Sequence, residues 1–283
     1  MNSNKNQLWY SQNFLHSSNL VIDLINKSKL TAEDHVLEIG PGKGIITEEL
    51  AKRCRKITAI EYDKTLYQTV KNKFWNRKNI EIIQQDFLKY DLTSINNYKV
   101  FANIPFHITS AIVRKLTASS NPPRVAYLIM QREAAWKYAG SPYYHESLSS
   151  LLLKPYFDLA LIHQFQKTDF IPVPRVNIVM LQLKKKKGLW PERKQSSLYQ
   201  DFIAYVFRQS NQGLKNKCKN IFSYQQLKSL SRNCGFNLRA NPTDLSFDQW
   251  YQLFQFFDNT LTEKKQRLVQ GAYWQLQNNK KIY

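Results

Sequence analysis

A glycine-rich segment, Gly40-Pro41-Gly42-Lys43-Gly44, directly follows the apolar run Val36-Leu37-Glu38-Ile39 and precedes a helical stretch that begins near Ile45. Glycine lets the backbone approach a ligand closely, and the first turn of a helix aims unpaired N–H groups at it, so this loop suits a bound molecule. The next apolar run, Ile57-Thr58-Ala59-Ile60, ends in Glu61-Tyr62-Asp63, and the one after it, Ile80-Glu81-Ile82-Ile83, leads to Gln85-Asp86-Phe87. A carboxylate at the tip of the strand beside the glycine loop can accept both hydroxyl hydrogens of a ribose. A second one, at Asp86, can accept from an adenine amino group while Phe87 covers the ring. The run Val100-Phe101-Ala102-Asn103 continues into Ile104-Pro105-Phe106. There the Asn103 side-chain carbonyl and the Ile104 main-chain carbonyl offer a pair of acceptors. They suit an exocyclic amine, whose lone pair is delocalised into its ring and which must be held by its hydrogens to be aimed. Phe106 would stack on the extruded base.

Strand ends carrying glycines, Glu61 and Asp86 match S-adenosylmethionine, which presents an adenosine and a charged sulfonium but no phosphate. A nicotinamide dinucleotide would use the same ribose logic. The loop, however, lacks the two-residue spacing before a third glycine that dinucleotide sites use, and Pro41 stiffens it where no pyrophosphate needs cradling. The reaction implied is an in-line displacement in which an adenine N6 lone pair takes the methyl group, once or twice, with proximity and desolvation supplying most of the acceleration. No metal is needed. His16, His35, His145 and His163 lack cysteine or acid partners at metal-binding spacing, and Cys54, Cys218 and Cys234 are too scattered for zinc or a disulfide framework. His107 reads as a pocket wall or surface residue, because the proton can leave the methylated ammonium to water, and Glu133 reads as an acid that starts a helix.

Positioning such residues takes a parallel sheet. From about residue 20 to 185 the chain alternates amphipathic helical stretches with the four runs above and a fifth, Val125-Ala126-Tyr127-Leu128-Ile129-Met130, which predicts an α/β fold. Stretches around Leu159 to Phe165 and Asn177 to Leu183 predict a closing antiparallel pair. Lys184 to Lys187, Gly188 and Pro191 break the pattern. Beyond them Leu198, Phe202, Ile203, Val206 and Phe207 recur at helical spacing, Gly235 suits a helix end, and Ser246 can cap a helix bearing Trp250, Leu253, Phe254 and Phe257. The division expected is residues 1–188 as the cofactor-binding domain and 189–283 as a small all-helical RNA-binding domain.

Composition narrows the partner. The 283 residues include 41 Lys and Arg against 21 Asp and Glu, a formal charge of +20 that favours a polyanion through counterion release. Residues 190–283 hold fourteen of those cations against six acids, so both parts would face the same polyanion. Sixteen Tyr, sixteen Phe and six Trp supply faces for unstacked bases, which points to nucleic acid. With 43% hydrophobic residues the chain is not of the disordered class. No apolar run approaches the ~20 residues of a spanning helix, and the polar start Met1-Asn2-Ser3-Asn4-Lys5 is no signal peptide. A cytoplasmic, membrane-free protein is expected.

Taken in order, Gln12-Asn13-Phe14-Leu15, Glu38-Ile39-Gly40-Pro41-Gly42-Lys43-Gly44, Glu61, Asp86, Asn103-Ile104-Pro105-Phe106 and Phe170-Ile171-Pro172-Val173-Pro174-Arg175-Val176 look like the successive signatures of the rRNA adenine N6-dimethyltransferases. The resemblance covers residues from about 10 to 185. It implies a Rossmann-like class I methyltransferase domain with S-adenosylmethionine as cofactor. Gln12 and Asn13 would touch its methionine end, and Leu15, Glu38, Gly40, Gly42, Glu61, Tyr62, Asp86, Phe87 and Asn103 would complete its site. Asn103, Ile104, Pro105 and Phe106 would hold the target amine. Two branches compete: the Erm macrolide-resistance enzymes, which act on large-subunit (23S) rRNA, and the KsgA enzymes, which act on paired adenines of small-subunit rRNA. Ala59-Ile60-Glu61-Tyr62-Asp63, Pro172-Val173-Pro174 and Leu245-Ser246-Phe247-Asp248-Gln249 look more like Erm. Ile178 departs from both, which usually carry a small residue there. The partner implied is 23S rRNA, protein-free or nascent, bound by a monomer. A relative that only binds RNA could dispense with the cofactor residues, all of which are intact here.

Overall fold

Runs of apolar and β-branched residues form strands that helices cover on both faces, and each of the five apolar runs does so here. In the computed structural model, which describes residues 13–187, 193–210 and 212–279, they are β2 (His35–Ile39), β3 (Lys56–Glu61), β4 (Ile80–Gln84), β5 (Tyr98–Asn103) and β6 (Val125–Gln131). A short β1 (Phe14–Leu15) precedes them, and β7 (Phe157–Gln164), β8 (Phe170–Ile171) and β9 (Ile178–Lys185) follow. The main sheet runs β4-β3-β2-β5-β6-β9-β7. Its first five strands pair in parallel, and β9 is antiparallel to β6.

Between these strands lie α1 (Ser18–Lys27), α2 (Ile45–Arg53), α3 (Lys64–Lys73) and α4 (Thr109–Ala118), and α5 (Arg132–Ala139) follows β6 with Glu133 in its first turn. The strands bury Val36, Leu37, Ile57, Ala59, Val100 and Phe101. Ile178, the departure from the family pattern, is buried in a cluster with Phe165, Phe170 and Met180. Chain order reverses at β2, which pairs with β3 on one side and β5 on the other. At such a reversal the loops diverge, leaving a crevice at the carboxyl ends of the strands.

Packing divides the chain into residues 1–135 with 158–185, and residues 136–157 with 186–283. The expected boundary at 188/189 therefore misassigns 136–157. That segment holds α6 (Leu148–Leu153), whose Leu151 is buried in the helical unit's core, and the Tyr199 hydroxyl donates to the Leu151 carbonyl (2.9 Å). Short amphipathic helices carry no mark of which core they join. The rest of the helical unit comprises α7 (Arg193–Arg208), α8 (Leu214–Cys218), α9 (Tyr224–Cys234), α10 (Phe247–Thr260), α11 (Glu263–Arg267) and α12 (Ala272–Asn279). Gly235 ends α9 in the left-handed conformation (φ 70°), Ser246 caps α10, and Phe202, Trp250, Phe254 and Phe257 are buried together. None of the described helices is long and apolar enough to cross a membrane.

Candidate active site

Two adjoining cavities open at the carboxyl ends of the parallel strands. The larger, about 240 Å³, is bounded by Gly40 after β2, Glu61, Tyr62 and Asp63 at the tip of β3, Gln85 to Leu88 after β4, and Pro105, His107 and Ile108 beyond β5. The smaller, about 40 Å³, is lined by Asn13, Phe14, Gly42 and Asn103 to Phe106. Gly40, Glu61 and Pro105 line both, so the two form one site.

The glycine loop takes its shape from left-handed conformations at Gly40, Gly42 and Gly44 (φ 68°, 58° and 79°), which other residues adopt only with strain. A Cβ on Gly42 would sit 2.7 Å from the Phe14 ring, whereas one on Gly40 would meet nothing within 4 Å. Gly42 thus lets Phe14 lie against the loop, and Gly40 presents bare backbone to the cavity. Glu61 braces the loop: its Oε2 accepts from the Gly42 N–H (3.2 Å) and its Oε1 from the Asp63 N–H (2.9 Å). Burial pushes its carboxyl above the usual range, and the N–H groups of Asp63, Gly42 and Tyr62 pull it back toward the ionised form. Asp86 Oδ1 accepts from the Leu88 N–H (2.8 Å), which leaves Oδ2 for a ligand. Phe87 is buried beneath that turn, while Tyr62 is 68% exposed at the rim.

Asn103 ends β5. Its Nδ2 donates to the main-chain carbonyl of Asn13 (2.7 Å). A carbonyl can only accept, so the amide orientation is fixed and Oδ1 is left as the acceptor. Pro105 and Phe106 follow at the wall of the smaller cavity.

Not every expected residue lies here. Leu15 is 4% exposed, paired with Phe170 across the short β1–β8 ladder and packed in the core, and it lines neither cavity. Glu38 is 1% exposed behind the loop and lines neither. Gln12 lies outside the described residues. Sequence reasoning missed Ile60, Leu66, Leu88 and Ile108, whose apolar side chains wall the larger cavity and read as ordinary core. The signal available was position: each lies within a few residues of a strand tip that carries a polar site residue. No group of three or more His, Cys, Asp or Glu among the described residues is placed to hold a metal ion.

The arrangement fits an adenosine-bearing sulfonium. Apolar walls suit a base, the carboxylates of Glu61 and Asp86 stand at adjacent strand tips, and bare backbone at Gly40 leaves room for close approach. Nearby, Glu38 Oε2 accepts from the Thr47 hydroxyl (2.7 Å), but the buried Oε1 has no partner among the described residues.

Glu38 also makes stability depend on pH. Burial raises its carboxyl from 4.5 to about 8, against the Thr47 hydrogen bond and with help from the Glu61 charge. The folded protein keeps a proton there that the unfolded chain gives up, so the contribution of Glu38 to stability is fully present below about pH 4.5 and is lost as pH rises to about 8, by up to ~1.4 kcal/mol per pH unit. Glu38→Gln cannot ionise and should flatten that decline when urea unfolding is followed from about pH 5 to 8. An unchanged slope would show that Glu38 is ionised in the fold.

A family model described as ribosomal RNA adenine dimethylase matches residues 3–259. Ribosomal RNA small subunit methyltransferase A of Mycoplasmopsis pulmonis is 30% identical over 250 residues, covering 87% of this chain and 96% of that protein. An rRNA adenine N-6-methyltransferase of Limosilactobacillus reuteri is 32% identical over 256 residues, covering 90% and 98%. Among solved structures, the 23S rRNA methyltransferase ErmE superposes with a TM-score of 0.80 at 24% identity over 87% of this chain and 100% of that one, a likeness of fold.

Proposed function

The chain belongs to the ribosomal RNA adenine dimethylase family and is an S-adenosylmethionine-dependent rRNA adenine N6-methyltransferase, and from that premise we propose that its target is an adenine of 23S rRNA and that it confers macrolide-type resistance. One observation carries the catalytic part of this reading. Asn103 is pinned through its Nδ2 to the Asn13 carbonyl, so its Oδ1 is a fixed acceptor at the wall of the smaller cavity, which adjoins the larger one.

S-adenosylmethionine, held by Gly40, Gly42, Glu61 and Asp86, supplies an electrophilic methyl group on a positively charged sulfur. Asn103 Oδ1 and the Ile104 carbonyl accept the two N6 hydrogens and turn the lone pair toward that methyl. Phe106 stacks on the extruded adenine, and the apolar walls exclude water, so the gain comes from positioning and desolvation. The methyl would pass from sulfur to nitrogen with S-adenosylhomocysteine as the leaving group, and a proton would then leave the methylated nitrogen for water. The helical unit adds RNA affinity and not chemistry, having basic side chains and no cofactor signature. The protein acts as a metal-free monomer in the cytoplasm.

Support for the Erm branch lies in sequence: Ala59-Ile60-Glu61-Tyr62-Asp63, the interrupted Pro172-Val173-Pro174, and Leu245-Ser246-Phe247-Asp248-Gln249. Val173 of the second stretch is exposed, as is Ile171 just before it. Primer extension on rRNA from cells with and without the protein tests the assignment. A new stop at an adenine of 23S rRNA, together with macrolide tolerance, is expected; a stop confined to small-subunit rRNA would move the enzyme to the KsgA branch.

A further inference from the structure

The amino-terminal ends of the parallel strands and the carboxyl end of antiparallel β9, on the far edge of the sheet from both cavities, carry a row of cations that the chemistry does not use. Register places them strand by strand. Lys184 of β9 lies opposite Val125 at the start of β6, and the Arg124 N–H donates to the Tyr98 carbonyl at the start of β5 (2.9 Å). His35 of β2 lies opposite both Tyr98 and Lys56, and the Ile57 N–H of β3 donates to the Asn79 carbonyl just before β4 (2.8 Å). Arg55, Lys56, Arg77, Lys78, Arg124 and Lys184 are all exposed along this edge. With neighbouring strands about 4.8 Å apart, the row from β9 to β4 is roughly 24 Å long.

Acids offset only part of it. Buried Asp34 pairs with Lys99 (2.7 Å) and Arg124 (3.3 Å), Glu81 pairs with Lys56 (2.8 Å), and Glu33 is exposed. Arg55, Arg77, Lys78 and Lys184 make no ion pair among the described residues. In the turn between α3 and β4 stands Trp75, 82% exposed. An indole left so far in water beside unpaired cations offers a stacking face where phosphates are also drawn.

We infer that this edge is a second RNA contact, gripping the backbone of a paired segment of the substrate while Trp75 stacks on an unpaired base next to it. The inference rests on the rRNA reading above. The length of β3 separates this edge from Glu61 by about 17 Å, so no single nucleotide touches both, and the edge engages RNA remote from the methylated adenine. A linear row of charges with one aromatic suits a phosphate backbone. A membrane surface would call for an apolar face beside the charges, which the strand ends do not present.

Filter binding of the full-length protein to a fully paired RNA duplex with a short unpaired overhang, across a salt series, tests this. A variant combining Arg55→Gln, Arg77→Gln, Lys78→Gln and Lys184→Gln should bind at least about tenfold more weakly, with a log–log salt slope shallower by roughly 3.5 because four phosphate contacts are gone. Trp75→Ala should lose about tenfold only when the overhang is present, with Trp75→Phe restoring it. Methylation of a short hairpin carrying the target adenine should keep its kcat in every variant, which also shows that the variants fold. Wild-type affinity and slope in the fourfold variant would overturn the inference. So would a loss of binding to anionic phospholipid vesicles with RNA affinity intact, which would assign the edge to a membrane. If the wild-type protein methylates no rRNA but the duplex results hold, the rRNA reading fails and the second contact stands.

Discussion

Asn103→Ala is expected to lower kcat by a hundredfold or more while S-adenosylmethionine binds as it does to the wild type. The amide is the one side chain at the end of β5 whose acceptor is fixed by its own donor, through the Nδ2 bond to the Asn13 carbonyl. Removing it takes away a hydrogen bond that strengthens as positive charge develops on the attacking nitrogen, a loss on the order of 3 kcal/mol when such a preorganised group is deleted from a water-excluded site. Cofactor affinity should be spared because Glu61 and Asp86, the residues proposed for the ribose and the adenine, belong to other strand ends. Asn103→Asp should fare no better: a carboxylate has no N–H for the Asn13 carbonyl and turns away from it. Single-turnover kinetics with saturating cofactor reads this directly. Wild-type turnover in Asn103→Ala would remove the residue from the catalytic role.

Glu61→Ala acts on binding instead. Its carboxylate is proposed to accept from two ribose hydroxyls, and hydrogen bonds to a charged acceptor contribute roughly 1.5–3 kcal/mol each. About a hundredfold weaker S-adenosylmethionine binding is expected by calorimetry. Part of this is indirect, because Glu61 also receives the Gly42 and Asp63 N–H groups and so holds the glycine loop. Glu61→Gln separates the contributions: it retains an acceptor for one of those N–H groups but lacks the charge, and should fall between wild type and alanine. Equal cofactor affinity in all three proteins would reject the ribose assignment.

The site was legible in the sequence where local pattern determines position. Gly40, Gly42, Glu61, Asp86 and Asn103 each stand at or just beyond the end of an apolar run, and parallel strands necessarily bring such ends to one edge. Residues whose places depend on distant contacts were not legible. Leu15 is buried because β1 pairs with β8, a partner more than 150 positions away, and nothing around Leu15 announces that pairing. Glu38 has the residue type of a ligand, yet the inward face of β2 aims it at Thr47 behind the loop. Asn13 was expected to touch the cofactor; in the structure its carbonyl accepts from the Asn103 amide, a main-chain contact that residue type cannot reveal. Segment 136–157 belongs with the helical unit through Leu151 and Tyr199, a contact across 48 positions.

The most direct test of the account incubates the purified protein and methyl-labelled S-adenosylmethionine with protein-free 23S rRNA, with assembled large subunits and with immature small subunits. RNA of this kind is recognised through an unpaired or bulged base presented by local helix shape, and assembly would pack that base among other RNA and protein. Label at an adenine N6 of the protein-free 23S rRNA, with assembled large subunits poor substrates, is the result predicted. Label confined to the immature small subunits would contradict it.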